Sequence, residues 1–207
     1  MPALRAHLLC GMRIAEDRAQ DLLQSFVSDK ILEQNLVARA DPGRGRFRAF
    51  LRTALENYVR SVLRRGQTAK RLPPGGPLLP IDEREQCLAD LDCPTDAFDV
   101  AWARQLLADV LECMEADCRE QDRMDVWGVF EGRVLRPILQ HAEPAPYDVL
   151  IKHFEFESPA KACNALVTAK RMFMRTLRSM ISETVADERL VEEEIRELKA
   201  ILLSAGA

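Results

Sequence analysis

Between residues 46 and 65, the apolar side chains Phe47, Phe50, Leu51, Ala54, Leu55, Tyr58, Val59, Val62 and Leu63 recur at i, i+3, i+4 and i+7. Only a helix brings that spacing onto one side, because 3.6 residues complete a turn. The outer side is expected to carry Arg48, Arg52, Arg60 and Arg64, spaced at multiples of four, with their four guanidinium groups along one stripe. A segment of this kind must bury a broad apolar face against other helices. Nowhere does the chain show the two-residue alternation of a half-buried strand. The expected fold class is all-α.

The other helices follow from the same period. Ala19, Leu22, Leu23, Phe26 and Val27 fall on one face, with Asp17, Asp21 and Gln24 on another, and Ile31, Leu32, Leu36 and Val37 continue as a second short helix. The run Asp41-Pro42-Gly43-Arg44-Gly45 reads as a turn. Gly66, Pro73, Pro74, Gly75, Gly76, Pro77 and Pro80 exclude continuous helix, and an acidic run from Asp82 to Asp99 follows them. The expected organisation is a basic helical domain over 1–71, an acidic Pro/Gly-rich linker over 72–97, a second small helical domain over 98–186, and an acidic closing helix over 187–207. Thr95 or Asp96 is the expected cap of a helix through Trp102, Leu106, Val110 and Cys113. The next helix turns Trp127, Phe130, Val134 and Ile138 inward, with Pro137 marking its last turn or a kink.

Residues 147–154 form a short helix, Glu155-Phe156-Glu157 a turn, and Ser158-Pro159 an N-cap with proline at the first helical position. The helix that follows has Ala162, Ala165, Leu166, Ala169, Phe173 and Leu177 inward. It leaves Lys161, Asn164, Thr168, Lys170, Arg171, Arg175 and Arg178 for its other faces. Short helix, tight turn and longer basic helix make a helix-turn-helix pattern. The closing helix aligns Val191, Ile195, Leu198 and Leu202, and is expected to pack on the last domain with its glutamates in solvent.

The net charge of -4 conceals the order of the charges. Residues 1–71 carry a net +7, 72–157 a net -12, 158–182 a net +5 with no acidic residue, and 183–207 a net -4. Two arrangements satisfy that order: basic surfaces facing a phosphate backbone, or basic and acidic faces paired inside one fold. A guanidinium stripe gives affinity for phosphate with little sequence preference. Within the second basic block, Asn164 matches adenine and Lys161 matches guanine in a major groove, while Thr168, Lys170 and Arg171 suit the backbone.

No nucleophile–base set, phosphate-cradling loop or metal-ligand spacing occurs, so an enzyme, a cofactor and a metal centre are not expected. The six cysteines form no Cys-x-x-Cys pair and are expected as free thiols. No apolar run approaches the roughly 20 residues of a membrane span, and the patch Leu8-Leu9-Cys10 runs into Glu16-Asp17 without a cleavage site, so no membrane insertion is expected.

The run Ala15-Glu16-Asp17-Arg18-Ala19-Gln20-Asp21-Leu22-Leu23, followed by Arg39-Ala40-Asp41-Pro42-Gly43-Arg44-Gly45-Arg46-Phe47-Arg48-Ala49-Phe50-Leu51, resembles region two of the extracytoplasmic-function sigma factors of bacterial RNA polymerase. Residues 158–178 and Glu183-Thr184-Val185-Ala186-Asp187 resemble region four and the tail of one branch of that family. The resemblance implies a cytoplasmic bacterial protein that docks on core RNA polymerase through Asp17, Asp21 and Gln24. It implies contact with the minus-ten promoter element through Arg48, Arg52, Asn57, Tyr58, Arg60 and Arg64. The minus-thirty-five duplex would be read through Lys161, Asn164, Thr168, Lys170 and Arg171. An acidic linker running toward the RNA path and a restraining anti-sigma protein are further implications. A second reading is a helical adaptor that keeps this fold without opening promoters. The chain departs from the family pattern in Ser61, in a turn holding Glu155 rather than glycine, and in Cys163 and Val167 at positions often basic or histidine.

Overall fold

The computed structural model describes residues 2–40, 46–69, 97–185 and 187–205. The turn expected over 41–45, the caps Thr95 and Asp96, and all but the last residue of the linker expected over 72–97 lie outside the described residues. Every regular element among the described residues is helical, as the period-3.6 pattern requires.

Two compact units emerge: residues 1–105 with 184–207, and residues 106–183. In the first, α1 (Pro2–Ala6) runs into a wider π-helical turn, His7–Gly11. α2 (Glu16–Phe26) likewise continues through a π-helical turn, Val27–Glu33, and a 3-10 turn, Leu36–Arg39. α3 (Phe47–Ala69), the first turns of α4 (Ala97–Glu120) and α9 (Glu188–Ala205) complete the unit. Its core holds Leu4, Leu8, Phe26, Leu55, Val59 and Phe98, all fully buried. Burying each such side chain is worth about 1.5–3 kcal/mol, which exceeds what helix propensity alone supplies. Phe26 meets Tyr58 edge-on at 5.6 Å between centroids, and Phe98 stacks on Trp102 at 5.9 Å.

In the second unit, α4 continues to Glu120, and α5 (Met124–Phe130) passes through a π-helical turn, Glu131–Leu135, into α6 (Arg136–Gln140). α7 (Tyr147–His153) and α8 (Pro159–Ser182) follow. Met114, Cys118, Val126, Val129, Phe130, Leu150, Ala165 and Ala169 form the core. The alanines bring α8 close to α5, and Phe130 packs on Phe173 at 5.7 Å.

Four expectations fail for identifiable reasons. Ile138 is 66% exposed rather than inward, because the π-helical turn before it adds a residue and rotates later positions by about 100°. The second short helix expected through Ile31, Leu32, Leu36 and Val37 does not form: the π-helical turn ends at Glu33, Asn35 turns left-handed (φ 47) and a 3-10 turn follows, leaving Leu32 and Val37 exposed. The closing helix α9 belongs with the first unit and not with the last domain, since its carboxylates meet arginines of α3. Likewise α4 serves both units, where the sequence pattern places it wholly in the second.

Candidate nucleic-acid interface

α7 and α8 are joined by a turn whose geometry is set by backbone hydrogen bonds. Glu155 adopts a left-handed conformation (φ 53), and the Phe156 N–H donates to the Ile151 carbonyl at 3.0 Å. This closes α7 with the six-to-one bond that usually employs glycine at the left-handed residue. A side chain with a Cβ is strained there, so Glu155→Gly is expected to raise stability by about 0.5–1 kcal/mol in urea denaturation. A loss of stability would show that the Glu155 side chain itself holds the turn.

Ser158 then caps α8, its hydroxyl accepting from the Lys161 N–H at 3.4 Å, and Pro159 opens the first turn. The start of α7 is held by Arg133, which donates to the Ala145 carbonyl at 2.9 Å and lies 4.3 Å over the Tyr147 ring. Burial, helped by a hydrogen bond with Cys163, pushes the Tyr147 phenol up and keeps it neutral. On the α5 side, a Cβ at Gly128 would stand 2.0 Å from the Phe154 ring, so only glycine lets that ring close over α5.

The scaffold turns one face of α8 outward. Ala162, Ala165, Ala169, Thr176 and Leu177 are buried, while Lys161, Asn164, Lys170, Arg171, Arg175 and Arg178 are exposed and Thr168 is half-buried. Lys161, Asn164, Thr168 and Arg171 fall on neighbouring positions of one face, and Lys170 is rotated from Arg171 by about 100°. Lys161 approaches Glu157 at 3.8 Å, an exposed pair of little energetic weight. The structure therefore places Lys161, Asn164, Thr168 and Arg171 on one face of α8, with Lys170 to one side of it.

The α3 set divides. Arg48 is only 6% exposed, its guanidinium 2.9 Å from Asp99 and 3.0 Å from Glu194, and it also bonds Glu197. Arg46 pairs with Glu194 at 3.0 Å and with Glu197, and Arg52 lies 3.7 Å from Asp99. Arg48 is thus an interior ion-pair residue and not part of a solvent-facing stripe; the carboxylates of α9 and α4 draw it in. Tyr58 is also buried, by its packing on Phe26, and donates its hydroxyl to Asp29 at 2.7 Å, so it offers no stacking face. Asn57 is half-buried, and Arg60 and Arg64 are exposed, Arg60 pairing with Glu56 at 3.1 Å. Asp17, Asp21 and Gln24 are exposed on α2, opposite buried Ala19, Leu22 and Phe26. The sequence reading missed the Arg46–Arg48–Asp99–Glu194–Glu197 cluster; its signals were the opposite charge of distant blocks and the place of Arg48 about 20° round the helix from Leu55 and Val59.

Burial, reinforced by the Asp29 charge, raises the Tyr58 phenol from 10.0 to about 12. Below pH 10 both folded and unfolded chains keep that proton. Between the two values only the unfolded chain releases it, so stability falls by about 1.4 kcal/mol per pH unit. Urea unfolding at pH 9, 10 and 11 is expected to show this decline in the native chain and a shallower one in Tyr58→Phe. Parallel profiles would remove Tyr58 as the cause.

Among the described residues, no group of three or more His, Cys, Asp or Glu side chains is placed to hold a metal ion, and no helix is long and apolar enough to cross a membrane. Cys10, Cys113, Cys118 and Cys163 are free thiols, and burial pushes the Cys118 thiol up. The chain matches no protein-family model, no curated protein and no solved structure.

Proposed function

We propose that this chain is an alternative sigma factor that binds core RNA polymerase and directs it to a small promoter set. The observation that carries the reading is the α7–α8 helix-turn-helix, whose longer helix exposes Lys161, Lys170, Arg171, Arg175 and Arg178 with no carboxylate anywhere in residues 158–182. Such a helix suits the major groove, with its first turns at the base edges and its cations on phosphates. Asn164 then reads adenine, Lys161 reads guanine, and Lys170 and Arg171 hold the backbone. Exposed Asp17, Asp21 and Gln24 on α2 supply an acidic docking face for the polymerase. On α3, Arg60 and Arg64 remain the residues for the minus-ten element, with Arg52 and Asn57 beside them. An anti-sigma protein is the expected restraint on the free factor, and the protein acts in the bacterial cytoplasm as no enzyme.

The test is in-vitro transcription with bacterial core polymerase on a randomised promoter library. The expected result is a defined start site that depends on the chain, with Asn164→Ala costing about 1–3 kcal/mol of binding on the selected upstream sequence and nothing on scrambled duplex. Binding to core without any defined start would overturn the proposal. That result would favour the second reading, a helical adaptor that opens no promoter. The interior positions of Arg48 and Tyr58 speak for the adaptor, since they remove two groups from the minus-ten surface.

A further inference from the structure

The outward face of α8 is not uniformly charged. Between Lys161 and Lys170, its exposed positions are Cys163, Asn164 and Val167, and Val167 is 46% exposed. Val167 also lines an open groove of about 500 Å³ together with Lys170, Arg171, Met174, Arg175 and Arg178. A single exposed valine is ordinary on a protein surface. What distinguishes this one is its place, at the centre of a cationic face and one turn from Asn164.

Resting on the promoter-reading role proposed above, we infer that Val167 reads a thymine in the upstream duplex through the C5 methyl group, beside the base pair that Asn164 reads. Cations on either side take the phosphates and hold the helix in the groove. An isopropyl group brought to the base edges there has one apolar partner in the major groove, the thymine methyl. Residues three apart are separated by about 4.5 Å along a helix, a little more than the roughly 3.4 Å step between base pairs. Asn164 and Val167 therefore address adjacent pairs. No acidic side chain lies in residues 158–182 to accept from the cytosine amino group. The preferred element is accordingly an A·T-containing step.

The test uses the promoter duplex selected with the polymerase-bound full chain, resynthesised with uracil replacing thymine at one upstream position at a time. Uracil keeps every hydrogen-bonding group and lacks only the methyl. One position is expected at which uracil weakens binding about three- to fivefold, the worth of one buried methyl. Val167→Ala, a change at an exposed position, should bind thymine and uracil duplexes equally, whereas Val167→Ile and Asn164→Ala should keep the difference. If the native chain selects a sequence yet binds thymine and uracil duplexes alike everywhere upstream, the inference fails and the sigma reading survives. If Val167→Ala still discriminates, another group reads the methyl and the inference fails. If no duplex is selected at all, the sigma reading fails and takes the inference with it.

Discussion

Replacing Arg48 with alanine is expected to destabilise the N-terminal unit by about 3–5 kcal/mol, the cost of removing one partner from a buried ion cluster. Arg48 is 6% exposed and Glu194 is 4% exposed, with 3.0 Å between guanidinium and carboxylate. Asp99 at 2.9 Å and Glu197 complete the cation's surroundings. After truncation, Arg46 is the one cation among the described residues that still pairs with both Glu194 and Glu197, and Asp99 keeps there the longer contact of 3.7 Å to Arg52. Glu194, held out of water, would then share a single guanidinium with the partly exposed Glu197.

Arg60→Ala is the contrast. That side chain is 59% exposed and makes a helical i,i+4 pair with Glu56, worth about 0.3–0.5 kcal/mol. Urea denaturation of each variant in a Trp127→Phe background, followed by fluorescence of Trp102, reports on the first unit. Added salt should weaken the Arg60 pair and leave the Arg48 cluster nearly unchanged, because buried charges are screened least. An Arg48→Ala protein as stable as Arg60→Ala, but poorer in promoter opening, would return Arg48 to the DNA-contacting set.

The second large effect concerns the cationic face of α8. Lys170, Arg171 and Arg175 are exposed on it, and changing all three to glutamine should leave folding nearly intact. If each neutralises a phosphate, the slope of log K against log salt becomes shallower by about 2.7. Affinity for duplex then falls roughly a hundredfold at about 0.15 M salt, through lost counterion release. Binding isotherms from 50 to 300 mM salt, on selected and scrambled duplexes, separate this term from base reading. The loss should be equal on both duplexes, unlike that of Asn164→Ala. An unchanged slope would show that α8 meets no phosphate.

Helix content, the capped start of α8 at Ser158-Pro159 and the inward alanines of that helix were legible from the sequence alone. Each depends on residues within a turn or two of one another. The left-handed Glu155 lies where glycine is usual, and composition offered no sign that glutamate would accept that strain. The π-helical turns were illegible for a related reason: one extra residue in a turn leaves no trace in a period-3.6 pattern, yet it moved Ile138 from the expected core to the surface.

By itself, the sequence determined that the chain is helical, where the α7–α8 pair begins and turns, and that residues 158–182 present positive charge only. Those properties follow from local hydrogen bonding, capping and periodicity, and α8 keeps its outward cations because residues 158–182 hold no acidic residue to pair with them. Tertiary structure alone decided which carboxylates meet the arginine on the inner side of α3. Arg48 lies about 20° round the helix from buried Leu55 and Val59, and Arg60 about 120° from Arg48, so the period already turns Arg48 toward the core, where Glu197, 149 positions beyond it, pairs with it. Coulomb attraction strengthened by burial holds that pairing, and no pattern within a single helix encodes which distant carboxylate will arrive.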